Sequence, residues 1–198
     1  MIKSASLAEE LFVVIVPGGK ILSLAEKIQK RVSDFYNIYK DGFYPQIHIT
    51  LDRIKSGSKE IERSIKITDE VVADFDHSVK IEIDEFSCYY ISSNKFLVLK
   101  VNKTSSLENF ARYLHEKLIR ANISTIENYE EWEYHITLIS NLFAQNPVSG
   151  KNFKELCYIF NGYENDYRGY ADKLEIWRPT LDPEKKCIKS YDLKGDSN

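Results

Sequence analysis

The hydrophobic positions along this chain switch between two spacings, and the switches mark out its elements. Leu11–Val16 is a β-branched run halted at Pro17-Gly18-Gly19, as a strand ending in a turn would be. Ile21, Leu24, Ala25, Ile28, Val32 and Phe35 then recur at helical spacing, predicting an amphipathic helix over Ile21–Tyr39 that breaks at Asp41-Gly42. After Pro45 the pattern alternates over Ile47–Arg53, with Ile47, Ile49 and Leu51 on one face and His48, Thr50 and Asp52 on the other. Ser56-Gly57-Ser58 punctuates the chain, and Ile61, Ile65, Val72 and Phe75 predict a second helix over Lys59–Phe75. Val79–Tyr90 and Phe96–Val101, separated by Ser92-Ser93-Asn94, read as a hairpin. A third helix is expected behind a Ser106 cap, with its stripe formed by Leu107, Phe110, Ala111, Leu114 and Leu118. Tyr134–Ile139 repeats the earlier alternating pattern, Asn152–Phe160 suits a short helix, and Lys173–Trp177 and Ile188–Leu193 close the chain as strands.

The resulting order, β-α-β-α-β-β-α-β-(α)-β-β, is α+β, with antiparallel pairs and helices on the outside. A β-α-β unit occurs twice. The expectation is one bilobal domain over 1–198: two pseudo-symmetric β-α-β lobes whose antiparallel sheets flank a central groove, with motif strands near 47–53 and 134–139.

Those strands carry the same tetrapeptide, His48-Ile49-Thr50-Leu51 and His135-Ile136-Thr137-Leu138, in a chain with only four histidines. One such copy is ordinary strand composition; two, one in each half, point to chemistry. On a strand, residues i and i+2 leave the same face about 7 Å apart while i+1 enters the opposite one. Each motif therefore presents an imidazole beside a hydroxyl and buries an isoleucine. Brought together, two such strands supply one base, one acid and two hydroxyl donors for an oxyanion. Imidazole suits both proton-transfer roles because its pKa lies near 6.5.

These paired His-x-Thr-φ motifs resemble the signature of the 2H phosphoesterase superfamily, with its LigT-like 2′-5′ RNA ligase-type proteins and cyclic nucleotide phosphodiesterases. Both copies fit without substitution, and the element order fits over Leu11–Leu193. The resemblance implies metal-independent chemistry on ribose-linked phosphates, such as opening of 2′,3′-cyclic phosphates or cleavage of 2′-5′ or cyclic-oligonucleotide linkages. It implies His48 and His135 as acid and base, Thr50 and Thr137 as phosphate ligands, no cofactor and no metal. The role could be RNA end processing or removal of a nucleotide second messenger, such as 2′-5′ oligoadenylate, used in antiviral defence. Which histidine takes which role is not legible in near-identical motifs.

Charge and cysteine content narrow the picture. Twenty-seven basic against 30 acidic residues give a net charge of −3, so a long nucleic acid held by backbone charge alone is disfavoured. A short oligonucleotide or cyclic nucleotide is the expected partner, with no membrane and no obligate protein partner. Cys88, Cys157 and Cys187 are sparse, odd in number and far apart, which argues for a reducing compartment and against a disulfide frame or zinc knuckle. Together with the short apolar run at Leu11–Val16 and its acidic flank, this leads to the expectation of a soluble, cytoplasmic protein.

Tyr44, Trp132 and Arg178 are further candidate substrate contacts. Tyr44 shares parity with His48, Trp132 would stack on a base if it lies in the loop, and Arg178 follows a strand end, as Arg53 does. His77 and His115 read as surface histidines. The Tyr158, Tyr163, Tyr167 and Tyr170 stretch suits a lid or packing. Two other readings compete. One is a 2-His-1-carboxylate metal site drawing on Asp52 or Glu133, which alternation places on the histidine faces; the threonines oppose it, since a hydroxyl is a poor ligand. The other is a non-catalytic nucleotide- or RNA-binding domain.

Overall fold

The computed structural model describes residues 9–40, 43–75, 78–91, 94–160 and 167–193. Its elements in chain order are β1 (Glu10–Pro17), α1 (Gly19–Tyr36), β2 (Ile49–Lys55), α2 (Ser58–Asp74), β3 (Lys80–Ile91), β4 (Asn94–Val101), α3 (Ser105–Arg120), β5 (His135–Ser140), α4 (Gly150–Phe160), β6 (Arg168–Trp177), α5 (Pro183–Lys186) and β7 (Cys187–Asp192). The architecture is α+β, as the pattern predicted. Seven strands run β1-β2-β5-β4-β3-β6-β7, every pairing between them antiparallel.

Local sequence explains most boundaries. At the end of β1 the turn needs a left-handed residue, and Gly19 supplies it at φ 53°. α1 buries Ile21, Ala25 and Val32 on one stripe and stops at Asn37 in the left-handed conformation, a C-terminal cap that closes the helix early of the expected Tyr39. α3 starts at Thr104, not Ser106: the Thr104 side chain accepts from the Leu107 N–H. Ser106 Oγ instead accepts from the Lys80 N–H at 2.9 Å, tying the helix to β3.

The sheet joins the two halves at two places. β6 is shared: Arg168–Tyr170 pair with β3, and the rest of the strand pairs with β1 and β7. On the other side β2 meets β5 through the pair Ile49↔Ile136. The helices cross over between halves. α1, which follows β1, reaches β5, where Gln29 Nε2 donates to the Leu138 carbonyl at 3.1 Å. α3, which follows β4, packs under β2, where His115 meets Asp52. Each half therefore supports the motif strand of the other. The apolar core, including Ile15, Ile49, Leu51, Leu99, Phe110 and Ile136, lies between sheet and helices.

Two expectations fail here. Cys88 on β3 and Cys157 on α4 form a disulfide across 69 residues, leaving Cys187 free. The pair is invisible in the spacing because only the packing of α4 on β3 brings it together, and the inference from cysteine usage to a reducing compartment falls with it. His115 is not a surface residue: it is 8% exposed and stacks on Tyr129 with ring centroids 3.8 Å apart. His77, Tyr163 and the Asp41-Gly42 and Ser92-Ser93 breaks lie outside the described residues. Among the described residues no helix is long and apolar enough to cross a membrane.

Candidate active site

The two tetrapeptides meet at the Ile49↔Ile136 pair. His48 and Thr50 flank Ile49, and His135 and Thr137 flank Ile136. Both isoleucines are fully buried, so both flanking His/Thr sets leave the opposite face together.

A symmetric irregularity follows. Along β1, consecutive Val13 and Val14 pair with Asp52 and Thr50, so Leu51 is an extra residue in β2. Along β4, Leu97 and Val98 pair with Ile139 and Thr137, so Leu138 is the extra residue in β5. The last residue of each motif is thus a β-bulge, which flips the alternation beyond it. Arg53 and Ser140, rather than Asp52 and Ile139, reach the face that holds the histidines. Simple parity had put Asp52 there. Its carboxylate instead lies under the sheet, fully buried, accepting from Ser124 Oγ at 2.7 Å and bonded to His115 Nδ1 at 2.6 Å. Burial raises its pKa, and the His115 hydrogen bond opposes that shift.

The exposed face floors a cavity of about 370 Å³ lined by His48, Thr50, His135 and Thr137. The two rings are held alike. His48 Nδ1 donates to the Gln46 carbonyl at 2.8 Å, and His135 Nδ1 donates to the Glu133 carbonyl at 3.2 Å, each two residues back. A carbonyl can only accept, so both neutral rings carry the proton on Nδ1 and keep Nε2 as the basic nitrogen. Among the described residues neither threonine hydroxyl is engaged in a protein hydrogen bond.

The charges around the rings differ. Burial lowers His48 to about 4; its bond to the Gln46 carbonyl opposes the shift, and the positive charges of Lys186 and His135 add to it. His135 is also lowered by burial, but its carbonyl bond and the Glu133 charge work the other way. Glu133 accepts from Tyr89 Oη at 3.0 Å, and the Tyr89 ring stands edge-on to His135 at 5.5 Å. On the other side Trp177 packs on His48 with centroids 4.8 Å apart.

Of the sequence candidates, the structure brings His48, Thr50, His135, Thr137, Trp132 and Arg178 to this cavity. Trp132 precedes β5 in the loop, where its indole N–H donates to the Thr50 carbonyl at 3.1 Å and the Arg53 guanidinium lies 5.5 Å over its ring. Tyr44 is not among them: the chain leading into β2 turns it toward α1, where its hydroxyl donates to Asp34 at 2.5 Å. Tyr158 is exposed on α4, away from the cavity. Lys186 and Trp177 escaped the sequence reading, because the short helix that returns Lys186 to the cavity has no hydrophobic period; only the adjacent Asp182-Pro183 start signal was available.

No protein-family model and no curated protein matches the sequence. By structure the chain is similar to TT0787 of Thermus thermophilus, with TM-score 0.63, 12% identity and coverage of 94% of this chain and 99% of that one. It is similar to E. coli LigT, solved with 3′-AMP, at TM-score 0.57 and 11% identity, covering 94% and 98% of the two chains. For Kluyveromyces marxianus Usb1, solved with uridine monophosphate, the values are 0.51 and 12%, covering 87% and 94%. The chain has the fold of the 2H phosphoesterases.

Proposed function

We propose that this protein is a metal-independent phosphoesterase that cleaves ribose-linked phosphodiesters with His48 and His135 as base and acid. The observation that carries the reading is the convergence of both imidazoles, each fixed with Nε2 as its basic nitrogen, on one cavity beside two unengaged threonine hydroxyls. The proposed substrates are a 2′,3′-cyclic phosphate, a 2′-5′-linked oligonucleotide or a cyclic oligonucleotide. Solved structures of this fold carry 3′-AMP in LigT and uridine monophosphate in Usb1, which supports a nucleotide ligand.

In this reading His48 Nε2 takes a proton from water or from a neighbouring ribose hydroxyl as that oxygen attacks phosphorus. The P–O bond opposite the attack breaks, and the departing ribose oxygen takes the proton held on His135 Nε2. The assignment follows the difference in local charge: burial lowers both rings, Lys186 lowers His48 further, and Glu133 opposes the shift at His135. Thr50 and Thr137 donate to non-bridging oxygens, where negative charge accumulates.

A panel of 2′,3′-cyclic, 2′-5′-linked, 3′-5′-linked and cyclic-oligonucleotide substrates, with products resolved as 2′- or 3′-phosphates, tests the reading. Turnover of at least one ribose-linked diester that survives EDTA is expected. Loss of turnover on chelation, or nucleotide binding without turnover anywhere in the panel, would reject it. The same panel separates RNA-end processing from removal of a 2′-5′ or cyclic messenger such as one used in antiviral defence.

A further inference from the structure

Lys186 ends the four-residue α5 and faces inward. Its neighbour Lys185 is exposed and pairs with Asp182 at 2.9 Å, the ordinary arrangement for a surface lysine. Lys186 is 7% exposed, and its ammonium sits 4.0 Å from the centre of the Trp177 ring. Burying an ammonium is expensive unless an anion accompanies it. Glu175 acts on it from β6, but the Glu175 oxygens accept from Trp177 Nε1 and, at 2.8 Å, from Ser190 Oγ. Among the described residues Lys186 forms no ion pair with a carboxylate. It lines the catalytic cavity, and the indole beneath it is the one that packs on His48.

A buried cation that no carboxylate pairs directly, in a cavity that also presents two hydroxyl donors, is a site built for an anionic ligand. Resting on the phosphoesterase reading above, we infer that Lys186 is the substrate-binding cation of this cavity, taking a non-bridging oxygen of the reacting phosphoryl group on the His48 side. The contact neutralises charge as the transition state forms. It also places a positive charge where it disfavours protonation of His48, so one side chain serves substrate and base together.

The ammonium's own titration gives a signature that a packing role lacks. Burial lowers Lys186 to about 8, with Glu175 opposing the shift. The charged and titratable groups around it are Glu175 from β6 and His48 from the lead-in to β2, with Arg53, His135 and Arg178 lining the same cavity.

The test compares wild type with K186M, which keeps an apolar stem on Trp177, and K186R, which keeps the charge. Hydrolysis of a panel substrate and binding of inorganic phosphate by calorimetry are both followed from about pH 7.5 to 9.5, with affinities corrected for the fraction of phosphate that is dianionic. K186M is expected to lower kcat/KM by about 10² and to weaken phosphate binding about tenfold, on the scale of one lost oxyanion contact. The decline in kcat/KM above about pH 8 should vanish in K186M and move upward in K186R. Phosphate affinity unchanged in folded K186M, or an alkaline decline that persists in it, overturns the assignment. If K186M does not fold, wild-type phosphate affinity must itself fall through about pH 8, and a flat profile overturns the assignment equally. A wild type that turns over the panel alongside an unaffected K186M rejects only this inference. A wild type that binds phosphate through Lys186 but turns over nothing rejects the phosphoesterase reading instead.

Discussion

Ile49 of β2 faces Ile136 of β5, both fully out of solvent, in the residue pair that joins these two strands. The placing of both His-Thr sets on one face follows from that pair. Because both isoleucines point into the core, the histidine and threonine on either side of each must point out. All four of these side chains line one cavity.

Removing either imidazole removes a proton carrier. His48→Ala and His135→Ala should each lower turnover by about 10²–10⁴, the span of lost general acid–base catalysis. Thr50→Ala and Thr137→Ala should lower it by about 10²–10³, as for one oxyanion donor. Initial rates with the most active panel substrate, checked against unchanged far-UV circular dichroism, measure this. A double histidine variant no slower than the singles would show the two acting as one unit.

Acid should destabilise the protein through His48. Its folded value is about 4 against an ordinary 6.5, so between these values the unfolded chain takes up a proton that the native state refuses. The stabilisation is complete above about 6.5 and is lost as pH falls toward 4. His48→Gln, which cannot titrate, should show a shallower decline in melting temperature across that window than wild type. Equal slopes would contradict the buried-imidazole account.

Asp52 is a structural anchor, not a ligand of the cavity. Asp52→Ala leaves His115 and Ser124 without their shared acceptor in a buried setting and should cost about 3–5 kcal/mol. Asp52→Asn, which keeps a carbonyl oxygen for Ser124, should cost less. Urea unfolding gives both numbers. Where Asp52→Asn folds, turnover should stay near wild type, whereas a metal site built on this carboxylate would lose it.

The Cys88–Cys157 bridge closes a 69-residue separation. Cross-linking a loop of that size removes about 4 kcal/mol of chain entropy from the unfolded state. A Cys88→Ser/Cys157→Ser variant, or reduction of the wild type, should therefore lower unfolding free energy by about 2–4 kcal/mol. Denaturant titration with and without reductant measures it, and no difference would mean the thiols are not joined in solution.

The sequence alone determined the order of the strands and of the first four helices, the α+β class and the two His-Ile-Thr-Leu strands, because periodicity and a doubled tetrapeptide are local facts. Trp132 lies in the loop before β5 and lines the cavity, which is the position from which it would stack on a base. Parity misplaced Asp52 because strict alternation holds only without bulges, and whether Leu51 and Leu138 are bulged depends on how β1 and β4 register against them. His115 read as exposed because a helix shows its buried stripe only through apolar residues, and a histidine satisfied by a carboxylate far along the chain leaves no such mark. Tertiary structure alone decided the cysteine pair and the inward turn of Lys186. Both depend on contacts between segments distant in the chain, and those contacts are set by packing rather than by any local propensity.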